Sequence, residues 1–527
     1  MADPQRNRRW LWTAVIGCGV LLVCIFRFGM DAGSTWDEPS QAEYGNLVIR
    51  WFASGFRDTS AMRFENLYLY GGLFEVVAQL LAKISPLGIF ETRHLLIACV
   101  GLGGIVGAGL IGWEVAGPRA GVLAGAVLAL TPPWIGHAWF NSKDIPFATA
   151  ATFAIWFATR IAVRGLPPRM TDVIGSGMAI GAALGIRAGG YFLLIYPLCA
   201  CLLGLVATGI VRRDAQASRR MAKITLARVW VVLPLAWLLM LAMWPWAWSS
   251  PILAPLIAMK LSSQFPFGGD TLFRGELFKA TTIPYSYLPT WFAITTPELY
   301  AVAFALGLYA FIERRHLSVP INGRGLALIV VAVALPIGAA LITKPALYDG
   351  LRHFLFVFPP LAALAGIAIS AFIAAKRVPS TLRAGGLTIV LVTAAMTIVD
   401  AIELHPYEYA YFNRTFGGLV AAQGRFETDY WGASYKEGFE WVANDSRTSS
   451  TPLRVASCTP SSNERLEYYR REWPGVSDRL AVVQPDAHPD VFLESTRRYL
   501  CPHVEGPVIY TVSRLGVPLL YVRKPAQ

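Results

Sequence analysis

Charge is scarce in this sequence. Only 15% of its 527 residues are Asp, Glu, Lys or Arg, against roughly 25% in an ordinary soluble protein. Hydrophobic residues make up 55%. That balance excludes a soluble globular class, because runs of about eighteen or more mostly apolar residues are membrane-helix candidates. Metal ligands are sparse too. The seven His are scattered with no paired spacing, and His137 reads as a hydrogen-bonded interface residue. No basic stripe with interleaved aromatics is present, which argues against nucleic acid as a partner. The net charge of +12 instead reflects Lys and Arg collecting in cytoplasmic loops. The first apolar run has a basic flank, "NRRW", but no small-residue cleavage site follows it. It reads as a retained helix with its N-terminus in the cytoplasm.

What is present is a series of apolar spans. They fall near residues 10–29, 94–113, 119–136, 145–161, 172–186, 189–211, 229–247, 292–312, 325–342, 353–374 and 384–402, about eleven in all. The chain is therefore an all-α polytopic membrane protein. The stretch 67–82 is also apolar, but it holds Glu75 and two Gly. Basic loops at 160–169, 212–228 (with Arg212 and Arg213), 313–324 (with Arg314 and Arg315) and 376–383 should share the side of the N-terminus. Four spans precede residue 160, which satisfies the rule. A fifth crossing at 67–82 would break it. Segments 41–54 and 67–82 are thus expected as helices on the outer face, in the interface plane.

Beyond residue 403 the character changes. The tail 404–527 is polar and aromatic, with alternating stretches "LRVASC", "RLAVVQP" and a hairpin-like "GPVIYTVSRLGVPLLYVRK". A helix is expected at about 434–444. The domains are thus 1–403 in the membrane and 404–527 as a small extracytoplasmic α/β domain. Five cysteines lie in spans as small apolar residues. Cys458 and Cys501 lie in the tail, where an oxidising compartment would permit a disulfide, or they stay unpaired. "GLGGIVGAG" and "GSGMAIGAALG" lie within spans and read as helix packing, not nucleotide fingerprints.

The polar residues near span ends concentrate on the outer side. Asp37 and Glu38 follow the first span at once. They read as a partly desolvated base pair able to take a proton from an acceptor, or as two solvated carboxylates. Lys143 and Asp144, in "WFNSKDIPFA", read as charge partners of that pair or as a helix cap. Arg187 interrupts an apolar stretch and is a functional hypothesis by default, with a snorkelling turn residue as the alternative. Arg352 and His353 open a span, where Arg can hold a phosphate bidentately or anchor the interface. Lys344, Lys260, Arg274 and Lys279 are weaker candidates.

The stretches "GPRAGVLAGAVLALTPPWIGHAWFNSKDIPFATAATFAIW" and "GSGMAIGAALGIRAGGYFLLIYP", after the "DE" loop, resemble the polyprenyl-phosphate-sugar-dependent membrane glycosyltransferases. These are the protein O-mannosyltransferase-like family 39 and bacterial relatives such as the lipid A aminoarabinose transferase. The resemblance is clearest over residues 10–200, with "YDGLRHFLFVFPPLAALAG" and "HPYEYAYFNRTFGG" pointing to a bacterial branch. It implies the C-type glycosyltransferase fold and an inverting transfer from a polyprenyl-phosphate sugar to a lipid, glycan or protein acceptor. It implies Asp37 as the acidic first-loop residue that acts in catalysis with Glu38 its partner, Lys143 and Asp144 near the active site, and Arg187 as the basic residue ending the fifth helix. Arg352, His353 and Lys344 join Arg187 as candidates for the donor phosphate. The expected place is a bacterial inner membrane, with the C-terminal domain periplasmic or extracellular. Loop 248–291 is too short for the mannosyltransferases' large outer insertion. The sequence requires no cofactor and leaves a divalent metal undecided, since "WDE" is not a metal-ligand cluster by spacing. The competing reading is a transporter or lipid flippase without chemistry, which would place charges near the bilayer midplane in paired broken helices.

Overall fold

The computed structural model describes residues 4–208, 215–265, 268–312, 320–446, 451–497, 501 and 504–526. Arg212, Arg213, Arg314 and Arg315 of the expected basic loops lie outside them. Eight helices are long and apolar enough to cross a membrane, and two bent pairs bring the number to ten. Pro118–Ala129 meets Pro132–Ala138 at 67°, and Tyr287–Thr295 meets Glu298–Ile312 at 91°. Both bends fall at proline, Pro132-Pro133 and Pro297, where a helix N–H is lost and the ring blocks the preceding turn. Met170–Leu184 is a shorter apolar helix at the remaining expected position.

The helices Asp144–Arg164 and Arg352–Ala374 form the centre of the bundle, whereas Arg8–Phe28 and Ser380–Leu404 lie at its edge with mostly exposed apolar faces. Small residues allow the central approach. A Cβ on Gly366 would collide with the backbone of Ala124, and one on Gly112 would press on the Ala120 carbonyl. Gly104 and Gly107, from "GLGGIVGAG", lie against Trp134 and Thr152. These glycines serve helix packing.

The stretches set aside as surface segments are helices too short or too polar to span. Leu73–Ala82 has ten residues, about 15 Å of helix against a core of about 30 Å. Glu38–Ala53 carries Glu38, Glu43 and Arg50. The loop after residue 247 adds a helix, Leu253–Ser263, and a hairpin of β1 (Asp270–Phe273) and β2 (Glu276–Lys279).

Ion pairs mark the two ends of the bundle. At one end Arg164 pairs with Glu114 at 2.9 Å and Arg160 with Asp172 at 2.7 Å. Arg324 donates to the Val163 carbonyl at 3.0 Å and Arg228 to that of Pro168 at 2.8 Å. The basic loops therefore gather together. At the other end of Asp144–Arg164, about 30 Å away by helix rise, Asp144 meets Arg187 and Arg352.

After Leu404 the chain runs across this second end before folding into its own domain. Asn413 donates to the carbonyls of Ala293 and Thr296 at 2.7 and 2.9 Å, and Arg414 pairs with Asp400 at 2.7 Å. The small domain begins with helix Tyr435–Asp445. Its sheet comprises β3 (Leu453–Ser457), β4 (Leu480–Val482), β5 (Val491–Ser495), β6 (Val508–Arg514) and β7 (Val517–Arg523), in the order β4-β3-β5-β7-β6. β3 runs parallel to β4 and β5, and β7 pairs antiparallel with β5 and β6. The expected hairpin is β6–β7. Helix Pro460–Glu472 and strand β5 were not expected from sequence. The helix is highly charged, and β5 is buried at every position, so neither shows the alternation that marks a half-buried element. Cys458 and Cys501 form a disulfide with a Cα separation of 4.7 Å.

Candidate active site

A cavity of about 370 Å³ opens where the end of the bundle meets the C-terminal domain. Asp37, Lys143, Arg187 and Arg352 line it together, although the sequence spreads them over three hundred residues. Each sits at a helix start or just before one. Asp37 precedes Glu38–Ala53, Lys143 precedes Asp144–Arg164, Arg187 precedes the turn Ala188–Leu194, and Arg352 opens Arg352–Val357.

The local backbone turns Asp37 toward the cavity. A helix cap normally has extended backbone and accepts from the N–H groups of the first turn. Asp37 has helical dihedrals (φ −80°, ψ −25°) and makes no side-chain cap bond. Pro39 removes one N–H that such a cap would use. The half-buried Asp37 carboxylate has no hydrogen bond or ion pair among the described residues.

The cations are arranged around it. Lys143 has no carboxylate partner among the described residues, and its ammonium lies 4.7 Å from the Tyr70 ring centre. Arg187 is ion-paired to Asp144 and lies 5.8 Å from the Tyr70 ring. Burial pushes the Arg187 pKa down, partly opposed by Tyr70. Arg352 pairs with Asp349 at 3.2 Å and lies 3.7 Å from Asp144. Its guanidinium also faces the rings of Tyr348 and Trp431, at 4.7 and 5.3 Å. The cavity wall thus carries Lys143, Arg187, Arg352 and Arg497 against the carboxylates of Asp37 and Asp349. Such a surface favours an anion, and the arginines can offer planar, two-point donation to phosphate.

The other expected residues fall into separate places. Glu38 does not line the cavity. Neighbours on a helix point about 100° apart, so Glu38 turns inward where Asp37 turns out. It is fully buried, accepts from the Thr35 N–H at 2.8 Å, and lies 3.0 Å from His94 Nε2. Asp144 stands behind the wall as the anion that holds Arg187 and Arg352, with Asn141 donating to it at 2.9 Å. His353 is half-buried next to Tyr348, with ring centres 4.8 Å apart, and does not line the cavity. Lys344 ends helix Gly323–Thr343 in the left-handed conformation and lies over the Tyr285 ring at 3.5 Å. That ring lines a different, small cavity. Lys279 pairs with Asp270, Arg274 donates to Thr290, and Lys260 lies outside the large cavity.

Asp349, Trp431 and Arg497 are additions the sequence did not suggest. Asp349 takes a positive φ of 55°, followed by Gly350 at 67°. This left-handed pair turns the chain so that Asp349 and Arg352 face each other; Asp tolerates the conformation better than most residues. The i, i+3 spacing of Asp349 and Arg352 was the signal available. Arg497 and Trp431 come from beyond residue 404, and no local pattern connects them to Asp37. Arg497 donates to Asp349 at 2.7 Å and to the Tyr430 carbonyl at 2.6 Å, and lies 3.3 Å from Glu427. Among the described residues no group of three or more His, Cys, Asp or Glu is placed to hold a metal ion.

No family model matches the chain, and no curated protein matches it significantly. Solved structures do show similarity. ArnT from Cupriavidus metallidurans, bound to undecaprenyl phosphate, is 17% identical over 97% of this chain and 98% of that one, with a TM-score of 0.49. The archaeal oligosaccharyltransferase AglB from Archaeoglobus fulgidus, in complex with an inhibitory peptide and a dolichol-phosphate, is 15% identical over 92% of this chain and 62% of that one, with a TM-score of 0.47. The arabinosyltransferase EmbB from Mycobacterium smegmatis is 14% identical over 90% of this chain and 42% of that one, with a TM-score of 0.42.

Proposed function

We propose that this protein is an inverting glycosyltransferase. It moves a sugar from a polyprenyl-phosphate donor to a hydroxyl or amine acceptor carried by a lipid, glycan or protein. The reaction takes place at the outer face of a bacterial inner membrane. The N-terminus is then cytoplasmic and the C-terminal domain periplasmic or extracellular.

One observation carries this reading. Asp37 is a half-buried carboxylate with no hydrogen bond or ion pair among the described residues, and it shares a cavity with four cations, of which Arg352 is close enough to feel its charge. Leaving a partly desolvated charge unpaired is costly, and the arrangement gains meaning when a substrate completes it. Asp37 takes the acceptor's proton as the acceptor atom attacks the anomeric carbon. The bond from that carbon to the phosphate oxygen breaks, and its electron pair leaves with the lipid phosphate. The configuration at the carbon inverts. Lys143, Arg187 and Arg352 offset the charge that develops on the departing phosphate, as fixed donors do most effectively in a water-poor site. Trp36, Tyr70, Tyr348 and Trp431 add flat aromatic walls suited to a sugar ring.

A transporter without chemistry requires charge near the bilayer midplane. Here the cavity's charges gather at one end of the bundle. The test is transfer by purified protein in lipid nanodiscs, with radiolabelled polyprenyl-phosphate sugars and a panel of lipid, glycan and peptide acceptors. Label should move to an acceptor. A transporter would leave it on the lipid. A reporter fused after residue 527 should be active only outside the cytoplasm.

A further inference from the structure

The segment from Ala32 to Trp36 has no regular secondary structure, yet the proposed base, Asp37, follows it directly. Its bonds go largely to the C-terminal domain and the chain leading into it. The Tyr469 hydroxyl accepts from the Ser34 N–H at 2.7 Å and lies 2.9 Å from Ser34 Oγ. Ser461 Oγ donates to the Trp36 carbonyl at 2.9 Å, and the Trp36 indole donates to the Tyr430 carbonyl at 2.9 Å. Lys436 donates to the Ala32 carbonyl at 3.3 Å. At the centre stands Arg465, on helix Pro460–Glu472. It is fully buried and has no ion pair among the described residues. Its Nη1 donates to the Ser34 carbonyl at 2.6 Å and to the Gly432 carbonyl at 2.8 Å. One nitrogen therefore ties the segment before Asp37 to the residue after Trp431, two parts of the cavity wall. The guanidinium lies between the rings of Trp36 and Tyr435, 4.9 Å from each centre. From the opposite side Glu38 accepts from Thr35 and meets His94.

We infer that Arg465 is a positioning residue for Asp37, so that the C-terminal domain sets the geometry of proton removal in the membrane region. The inference rests on the transfer reaction proposed above. A buried cation held by two carbonyls and two rings contributes little to stability compared with an apolar side chain of the same volume. One terminal nitrogen holds both backbone carbonyls while the flat guanidinium packs between two rings; Lys keeps a donor but has no flat face to set those ring planes.

The experiment compares wild type with Arg465→Lys and, as a milder variant that keeps Arg465, Ser461→Ala. Three things are read: transfer kinetics, deuterium uptake over residues 32–40, and thermal unfolding. For Arg465→Lys, kcat should fall at least tenfold, with KM for the lipid donor within about twofold and faster uptake over 32–40. Ser461→Ala should shift kcat and uptake in the same direction, by about two- to fivefold. The inference is overturned if kcat and uptake stay at wild-type values. It is equally overturned if kcat falls only in step with the folded fraction. If Arg465→Lys fails to fold, Ser461→Ala decides alone. If wild type transfers no sugar from any donor while uptake still rises in the variants, the reaction is wrong and the hold on the segment stands.

Discussion

Asp349, just before a membrane helix, and Arg497, in the C-terminal domain, pair at 2.7 Å, while Arg352 takes the other Asp349 oxygen at 3.2 Å. All three are buried and line the same cavity. The domains are therefore joined through the site itself. Removing one partner of a buried pair costs about 3–5 kcal/mol where nothing else compensates the remaining charge; Arg352 stays on Asp349, so the loss of Arg497 costs less than that. Arg497→Ala should lower the unfolding temperature and expose the C-terminal domain to protease, with loss of transfer. Wild-type protease resistance in that variant would show that the pair does not hold the domains together.

The clearest test of the chemistry is Asp37→Asn. The substitution keeps the shape and removes the proton acceptor. One general base is worth roughly 10²–10⁴-fold in rate, so kcat should fall by about that much. Donor binding, measured separately by lipid-analogue fluorescence, should survive, because the cations are untouched. Thermal stability should not fall, since Asp37 makes no side-chain bond to lose. Transfer at the wild-type rate would remove Asp37 from the mechanism.

Arg352 and Lys344 provide a paired comparison. Both follow the same sequence logic, a cation at the outer end of a span. Only Arg352 lines the large cavity. Arg352→Lys retains the charge but loses the two-point geometry, and it should raise the donor KM by about tenfold. Lys344→Ala should leave donor KM unchanged. Equal effects from the two would show that general surface charge, and not the cavity, recruits the donor.

This pair also shows where the sequence is legible. Span positions follow from apolar length, a local property, and each expected span has a helix in the described residues. Charge parity assigned 67–82 to the surface, and the structure forms there a helix of ten residues, Leu73–Ala82. The assembly of the cavity is not local. Asp37 and Arg497 lie 460 residues apart, and their meeting depends on how the C-terminal domain docks. Which of Asp37 and Glu38 faces the cavity depends on where helix Glu38–Ala53 begins. A one-residue step rotates the side chain by about 100°, and helix starts are the least certain feature of a sequence reading. Lys344 differs from Arg352 by its left-handed backbone and its seat on Tyr285, neither of which composition reveals.

The disulfide between Cys458 and Cys501 closes a chain segment of 43 residues. Constraining the unfolded chain over a loop of that length contributes roughly 2–4 kcal/mol. Cys501→Ser should lower the unfolding midpoint of the C-terminal domain by a corresponding amount, and reductant should do the same to wild type. Because Arg497 lies four residues before Cys501, transfer should decline with the domain. A variant with an unchanged midpoint would show that the bridge adds no stability.

His405 makes the junction between bundle and tail sensitive to pH. Its Nδ1 lies 2.7 Å from Glu408 Oε1 and its Nε2 lies 3.2 Å from Asp31 Oδ2, at the end of the first helix. Arg514 donates to the His405 carbonyl at 2.9 Å and is itself paired with Glu437 at 2.7 Å. Lys436 donates to the Asp31 carbonyl at 3.4 Å. Burial alone would lower the His405 pKa, but its bonds to Glu408 and Asp31 outweigh this and raise it above the ordinary value of 6.5. A folded-state pKa above the unfolded one contributes stability that is complete below about pH 6.5 and is lost as pH rises through the raised value. The unfolding temperature should therefore fall from pH 6 to pH 8 more steeply in wild type than in His405→Asn, which cannot titrate. Parallel slopes for the two proteins would mean that the imidazole carries no charge in this contact.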